Sequence, residues 1–599
     1  MQNVIDEQSA QQILGYLNQC TEIFNEGIKS LFTENPLDAE QSNQNTPFLS
    51  LFQPEKMSEL LTKGAQIDPA KLVENHIHYM QKQAELWQEA TKAMLGQHAD
   101  TVIEEPQNDA RFKDKDWQEN PVFNYLKQAY LLNSEMLNNV INAMEFSDPK
   151  AEEQVKFYTR QYINSVAPTN HILTNPEICR DILESKGENL LKGIKNFVKD
   201  LEQSPLDAFK ITQTDPSAFT LGENLATTPG KVVYQNKLIQ LIHYQPTTET
   251  VHENPILITP PFINKYYILD LDQKKSLVRW LVSQGYSVFV ISWVNPDAEY
   301  ADVDFSQYME LGPIAATTVV KKITKARKIN MVGWCVGGTL LAITVAYLKA
   351  KRNHCVNSMT LLTTLLDFSQ PGEIQHFLSD DLLPSLEQKV EQKGYLDGRM
   401  LGMGFSLLRE NNLFWSFFIN NYLKGKDPAA FDILHWNSDA TNLPAAFFKE
   451  YIGNTYKSNN LKDGKLIIND VTIDLSTIKA PSYLLSTIAD HIVLWQGAYQ
   501  GTKLLSGDVR FVLAGSGHLA GVINPPDKGK YPHWINNSLP ETAEEWFENA
   551  EKHEGSWWPD WQAWLAEKSG KMVPAVTPGE HKDYPAIEDA PGSYVKVTL

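Results

Sequence analysis

The chain has 599 residues, 42% hydrophobic and 21% charged, with a formal net charge of -20 at pH 7. That length exceeds one ordinary core and predicts at least two domains, while the near-average composition excludes a disordered or fibrous protein. The acidic balance, with no block of Lys or Arg, excludes nonspecific nucleic-acid binding, which needs a concentrated basic face.

Residues 1–10 carry Asp6 and Glu7 and no basic-then-apolar run, so no secretory signal is read there. The stretch Thr33 to Thr46, rich in Asn, Gln, Glu and Asp around Pro36, reads as a solvated loop. From Asp68 to Leu95 the residues Val73, Ile77, Met80, Ala84 and Trp87 recur in steps of four and three. This predicts a helix with one apolar face, Asp68 as N-cap and Pro69 in the first turn. Further helices are expected from Pro121 through Phe123, Leu126, Tyr130, Met136 and Val140, and around Leu190 to Leu201. Residues 1–220 thus read as a mainly helical domain. Intramolecular packing is the preferred role of its apolar stripes, and contact with a second subunit or an apolar surface is the alternative.

After Thr228-Pro229-Gly230 the period changes to two, with strands at Lys231 to Gln235 and Leu238 to Tyr244 about a turn near Asn236. Short apolar runs then alternate with helical segments: Ile256 to Thr259, Ser287 to Ser292, Ile329 to Gly333, Met359 to Leu366, Tyr483 to Ile488 and Val509 to Ala514. The alternation predicts a mostly parallel sheet in an α/β domain over 221–599. It lapses at about 369–480, read as an insertion that caps the sheet and controls access. Apolar runs such as 287–294 and 339–348 stop at about ten residues, short of the roughly 20 that span a bilayer, so no transmembrane segment is expected.

The sharpest local signal is Gly333-Trp334-Cys335-Val336-Gly337-Gly338, between a strand and an apolar helix, Thr339 to Lys349. This pattern predicts a nucleophile elbow of the α/β-hydrolase fold with cysteine in place of serine. Glycines let the backbone turn sharply, and the helix N-terminus behind Cys335 favours thiolate and oxyanion. In this fold the order is nucleophile, acid, histidine, the last two in loops after later strands. Asp490 follows the strand ending at Ile488, and His518 follows Gly515-Ser516-Gly517 beyond the next strand. His518 is expected to take the Cys335 proton and Asp490 to hold the imidazole; the adjacent His491 reads as structural. The backbone N–H of Val336, with one from the loop Pro260 to Asn264, is expected to form the oxyanion hole. Ile263 is the residue chosen there, equally readable as turn packing. A thiol nucleophile fits a thioester donor, because passing an acyl group between thiols is roughly isoenergetic and leaves it reactive.

The remaining cysteines, Cys20, Cys179 and Cys355, lack any elbow and read as structural. Without CxxC pairs or finger-spaced histidines no metal site is expected, and few scattered thiols predict a cytoplasmic protein. Trp436 and the run Gly555-Ser556-Trp557-Trp558-Pro559-Asp560-Trp561 read as packing anchors, each indole N–H finding an acceptor.

Six tracts, 260–271, 333–338, 363–368, 435–442, 490–495 and 516–526, together resemble the polyhydroxyalkanoate synthases, the single-subunit class I enzymes in particular, and the resemblance runs from about Arg111 to the C-terminus. It implies Cys335, Asp490 and His518 as nucleophile, acid and base, and (R)-3-hydroxyacyl-CoA as donor. CoA is then a leaving group, and no cofactor is implied. It further implies a homodimer in the cytoplasm bound to its own polyester granule beside granule-coat proteins. The chain departs from the family at Val294, where Arg is frequent between Trp and Asn, and at Leu494, where Pro is frequent. Neither touches the triad, but both bear on the substrate pocket. The competing functions are a cysteine-dependent thioesterase or polyester depolymerase on the same fold, and a noncatalytic granule scaffold. An intact triad in order argues against the scaffold.

Overall fold

The computed structural model describes residues 65–599 apart from 108, 205–208 and 381, together with a few positions between 12 and 23. The loop expected at Thr33 to Thr46 and Cys20 lie outside the described residues. The chain divides into two compact units, one formed by residues up to Gln213 with Arg409–Ala429, the other by Thr214–Leu408 with Ala430–Leu599.

The described part of the first unit is mainly helical. Helix α1, Pro69–Met94, starts where Asp68 accepts the Ala70 N–H at 2.9 Å, with proline in the first turn. Helix α2, Pro121–Asn142, starts likewise, with the Asn120 side chain accepting from Val122. Helices α3, Pro149–Ser165, α4, Pro176–Ser185, and α5, Glu188–Glu202, follow. The preferred role of the α1 stripe is overturned. Val73, Ile77, Met80 and Trp87 are 59, 52, 54 and 60% exposed. The face turned inward carries Leu86, which packs with Leu132 and Val102 between Tyr79, Tyr125 and Ala129. Glu89 goes inward as well, satisfied by Lys92 and by the Asp100 N–H at 2.9 Å.

The insertion expected over 369–480 is not one body, because Arg409–Ala429 belongs with the first unit. Buried Glu410 accepts hydrogen bonds from Gln161 at 3.1 Å and Asn164 at 2.6 Å, both on α3. Asn189 of α5 donates to the Leu423 carbonyl at 2.9 Å.

The second unit is built on an eleven-stranded sheet. Its strands are β1 Gly230–Gln235, β2 Ile239–Tyr244, β3 Ile256–Thr259, β4 Val288–Trp293, β5 Ile329–Trp334, β6 Val356–Leu362, β7 Ser482–Thr487, β8 Val509–Ala514, β9 His533–Ile535, β10 Glu551–His553 and β11 Glu588–Asp589. The spatial order is β10-β9-β8-β7-β6-β5-β3-β4-β2-β1-β11. The block β8-β7-β6-β5-β3-β4 is parallel throughout, and β2 pairs antiparallel with β4. The expected β1–β2 hairpin turns at Asn236, whose side chain accepts from Leu238 and Ile239 at 2.8 and 3.0 Å. Strands β2 to β5 and β7 are buried along their whole length; for β3, β4, β5 and β7 this is why they read as apolar runs and not as alternation. Helix α6, Leu277–Ser283, helix α7, Ala315–Thr324, and helix α8, Val336–Ala350, connect these strands, and α8 is buried from Gly337 to Leu348.

Candidate active site

Strand β5 ends at Trp334 and α8 begins at Val336, so the turn between them is the single residue Cys335. Cys335 sits there at φ 51° and ψ -126°, a conformation that a side chain with a Cβ adopts only under constraint. The constraint is visible on both sides. The Cys335 N–H donates to the Leu362 carbonyl of β6 at 2.8 Å, and the Thr364 hydroxyl donates to the Cys335 carbonyl at 3.3 Å. A Cβ on Gly337 would lie 2.3 Å from the Pro260 carbonyl oxygen, and one on Gly338 2.1 Å from the Thr364 hydroxyl. The glycines are therefore needed for close approach, and the loop after β3 is seated directly on the first turn of α8. As the first helical residue, Val336 has an N–H with no intrahelical acceptor, next to the positive end of the helix. The Ile263 carbonyl accepts from Thr441 at 2.8 Å, which ties the loop 260–264 to the segment around 440.

Asp490 and His518 meet over the same sheet edge, at the ends of β7 and β8. His518 Nδ1 donates to Asp490 Oδ2 at 2.7 Å, the carboxylate side chain being fully buried. The other oxygen, Oδ1, accepts from the N–H groups of Ile492 and Val493, each at 2.9 Å, so the chain directly after the acid orients it. The carboxylate of Asp490 is the group that meets the His518 ring. Burial of His518 disfavours its charge, but Asp490 and a thiolate at Cys335, with hydrogen bonding to both, outweigh this and push its pKa up to about 10. Cys335, His518 and Asp490 thus form one interacting set.

Two aromatic side chains of the insertion were invisible in the sequence. Tyr451 and Tyr456 hold their ring centroids 6.4 Å apart, and the Tyr451 ring meets Phe262 of the loop 260–264 edge-on at 5.7 Å. Burial, reinforced by the Cys335 charge, pushes both phenols above their ordinary range and keeps them neutral. Nothing in their local pattern marks them apart from ordinary helical aromatics. The described cysteines other than Cys335, Cys179 and Cys355, are free, with thiols pushed up by burial. Among the described residues no group of three or more His, Cys, Asp or Glu side chains is placed to hold a metal ion, and no helix is long and apolar enough to cross a membrane.

Two families match the chain. Residues 108–281 match the N-terminal region of poly-beta-hydroxybutyrate polymerase, and residues 272–525 match the alpha/beta hydrolase fold. A poly(3-hydroxyalkanoate) polymerase of Methylorubrum extorquens is 42% identical over 91% of this chain and 90% of its own. The poly(3-hydroxyalkanoate) polymerase subunit PhaC of Cupriavidus necator is 43% identical over 89% of this chain and 90% of its own. The chain belongs to the poly(3-hydroxyalkanoate) polymerase family. A more distant member, poly(3-hydroxyalkanoate) polymerase 1 of Ectopseudomonas oleovorans, is 34% identical over 93% of this chain and 98% of its own. Membership makes the protein an acyltransferase on an α/β-hydrolase fold.

Within this polymerase-family framework the C-terminal tryptophans have a traceable task. The indole N–H groups of Trp557 and Trp558 donate to the carbonyls of Gly521 and Val522, at 3.1 and 2.9 Å respectively, which pins the loop that carries His518. Trp561 donates to Thr360 of β6 at 3.0 Å. Trp436 donates to the Lys265 carbonyl at 2.6 Å, which anchors the segment 432–438 beside the β3 loop. The acceptors expected for these indoles are therefore in place, and for Trp557 and Trp558 they brace the candidate base.

Proposed function

We propose that the protein polymerises (R)-3-hydroxyacyl-CoA into a polyester through an acyl group carried on Cys335. The observation that carries this reading is the set Cys335, Asp490 and His518 at the ends of β5, β7 and β8, in a chain whose relatives are named for this polymer. The Cys335 thiolate attacks the thioester carbonyl while the carbonyl oxygen is received at the start of α8, by the Val336 N–H and a donor from the loop 260–264, with Ile263 the residue proposed. The His518 imidazolium gives its proton to the departing CoA sulfur. The neutral imidazole then takes the proton of the 3-hydroxyl of another acyl unit or chain as that oxygen attacks the acyl-Cys335 carbonyl. An ester bond forms, the C–S bond breaks, and thiolate and imidazolium are restored. Each turn releases one CoA and adds one ester, with no cofactor and no metal. The insertion helps the reading if it excludes water, because water at the second step yields a free acid.

The same reading places the enzyme in the cytoplasm as a homodimer on its polyester granule, beside coat proteins. The outward stripe Val73, Ile77, Met80 and Trp87 supports an apolar contact of that kind. The test is incubation of the purified protein with (R)-3-hydroxybutyryl-CoA, following CoA by thiol titration and the acyl product by mass. CoA release with insoluble polyester and a 3-hydroxyacyl adduct on Cys335 is expected. Release with only free 3-hydroxybutyrate would make the protein a thioesterase, and no adduct on Cys335 would overturn the mechanism.

A further inference from the structure

Residues other than glycine take a left-handed backbone at the carboxyl ends of β5, β6 and β8: Cys335 at φ 51°, Thr363 at φ 42° and Ser516 at φ 72°. Cys335 is the nucleophile, and Ser516 stands two places before His518. Thr363 belongs to neither loop, and the mechanism gives it no task. A β-branched residue at positive φ is a genuine outlier, and it persists only where its surroundings over-determine it.

What holds Thr363 is visible. Its N–H donates to the Leu485 carbonyl of β7 at 2.7 Å, and its hydroxyl accepts the indole N–H of Trp334 at 2.9 Å. The residue on either side is bonded to Cys335: the Leu362 carbonyl accepts its N–H at 2.8 Å, and the Thr364 hydroxyl donates to its carbonyl at 3.3 Å. The end of β6 therefore grips the elbow on one side and the strand that leads to Asp490 on the other.

Trp334 is the residue before Cys335, and its ring lies beside the His518 ring, centroids 6.4 Å apart and planes inclined at 36°. That is within the range of aromatic contact. Asp490 holds the imidazole at Nδ1 alone, so the indole supplies a second restraint on the ring. Trp334 is 1% exposed and Thr363 fully buried, so the indole N–H has no water to turn to. Without its acceptor it would be a buried, unpaired donor, and rotation towards another acceptor would carry away the surface beside His518.

We propose that Thr363 is a positioning residue for the reaction: its hydroxyl fixes the Trp334 indole, and the indole holds the His518 ring in line with Cys335. This rests on the reading of His518 as the base that serves Cys335. The left-handed turn at Thr363 is then kept because it brings a hydroxyl to the indole N–H, as the turn at Cys335 is kept because it presents the thiol.

The experiment uses the full-length enzyme with Thr363→Val, which keeps volume and β-branching but removes the hydroxyl, with Thr363→Ser, which keeps the hydroxyl, and with Trp334→Phe, which removes the N–H. Turnover of (R)-3-hydroxybutyryl-CoA is followed by CoA release, and the pH profile of Cys335 alkylation by iodoacetamide is read by peptide mass. Thr363→Val is expected to lower kcat about tenfold with KM within about twofold of wild type, and to raise the alkylation midpoint by roughly one pH unit, because the thiolate loses its aligned imidazole. Thr363→Ser is expected to restore both. Thr363→Val combined with Trp334→Phe is expected to lose no more than either change alone, since both remove one bond. A brace that is merely structural would lower the amount of folded enzyme and leave the alkylation midpoint in place. An unmoved midpoint, an unchanged kcat, or a Thr363→Ser enzyme no better than Thr363→Val would therefore overturn the proposal. His518→Gln tests the underlying reading separately: a midpoint that this change fails to move would sink the pairing of His518 with Cys335, and the proposal with it.

Discussion

Helices α8 and α1 are both rich in apolar side chains, and the fold treats them in opposite ways. Every residue of α8 from Gly337 to Leu348 is buried, whereas the apolar stripe of α1 faces outward and its inward face includes a charged residue, Glu89. The first helix is committed to the core of its unit, and that commitment holds Cys335 in a backbone conformation it would not adopt alone. The second leaves its stripe unspent. The difference separates a place where sequence is fixed by packing from one where it is free for an outside contact.

The largest effect is expected at the committed end. Cys335→Ala should lower CoA release by roughly 10⁴-fold or more, since no other group replaces the thiolate. Cys335→Gly should do the same and yet raise stability by about 1 kcal/mol, because glycine tolerates φ 51° without strain. Thiol titration and urea unfolding check the two halves, and a Cys335→Gly protein less stable than wild type would show that the elbow is not strained. Next comes Gly337→Ala. Its Cβ would meet the Pro260 and Thr259 carbonyls at 2.3 and 2.6 Å, backbone that cannot swing aside, so a loss of about 3 kcal/mol is expected. An unchanged denaturation midpoint would mean that α8 does not need its close seat on the β3 loop.

Smaller but more diagnostic is Asp490→Asn. The pKa of His518 is pulled down by burial and raised chiefly by Asp490, then by Cys335, to about 10. A raised pKa keeps the imidazolium present below that value and loses it as pH rises through it. First acylation, which spends that proton on CoA, is therefore expected to fall off as pH rises through about 10. Removing the Asp490 charge should move this limb to lower pH. It should also slow elongation by about 100-fold, and first acylation by less, because only elongation needs the imidazole to accept a proton from an alcohol. Equal loss at both steps, measured by rapid-quench release of CoA in the first and later turnovers, would count against that division of labour.

How much of this was legible beforehand depends on whether a local rule carried it. The elbow was readable, since Gly333, Gly337 and Gly338 surround Cys335 for steric reasons that the backbone itself imposes. Asp490 and His518 were readable because strand ends fix where such side chains can stand. The inner strands declared themselves as apolar runs, but β9, β10 and β11, three or two residues long, leave no periodic trace. Tyr451 and Tyr456 were hidden because their alignment depends on a change from α winding, Ala445–Ile452, to π winding, Gly453–Lys457, that no residue pattern announces. The membership of Arg409–Ala429 in the first unit was hidden too, since it rests on bonds such as Asn164 to Glu410 between residues far apart in sequence.

The α1 stripe is the sharpest lesson, and it supplies the smallest expected effect. A period of 3.6 identifies a face but not what covers it, and here the covered face is the one with Leu86, 1% exposed, and the satisfied Glu89. Ile77→Gln, at a position 52% exposed, should therefore change the hydrogen-exchange protection of α1 by no more than about 0.5 kcal/mol. Leu86→Ala, in the same helix, should cost about 2 to 5 kcal/mol. If the stripe is the part of this enzyme that meets its polyester, Ile77→Gln should also weaken sedimentation with polymer particles while turnover of the soluble donor is kept. Strong destabilisation by Ile77→Gln would mean that the stripe has a partner within the chain, and the contrast between the two helices would then disappear.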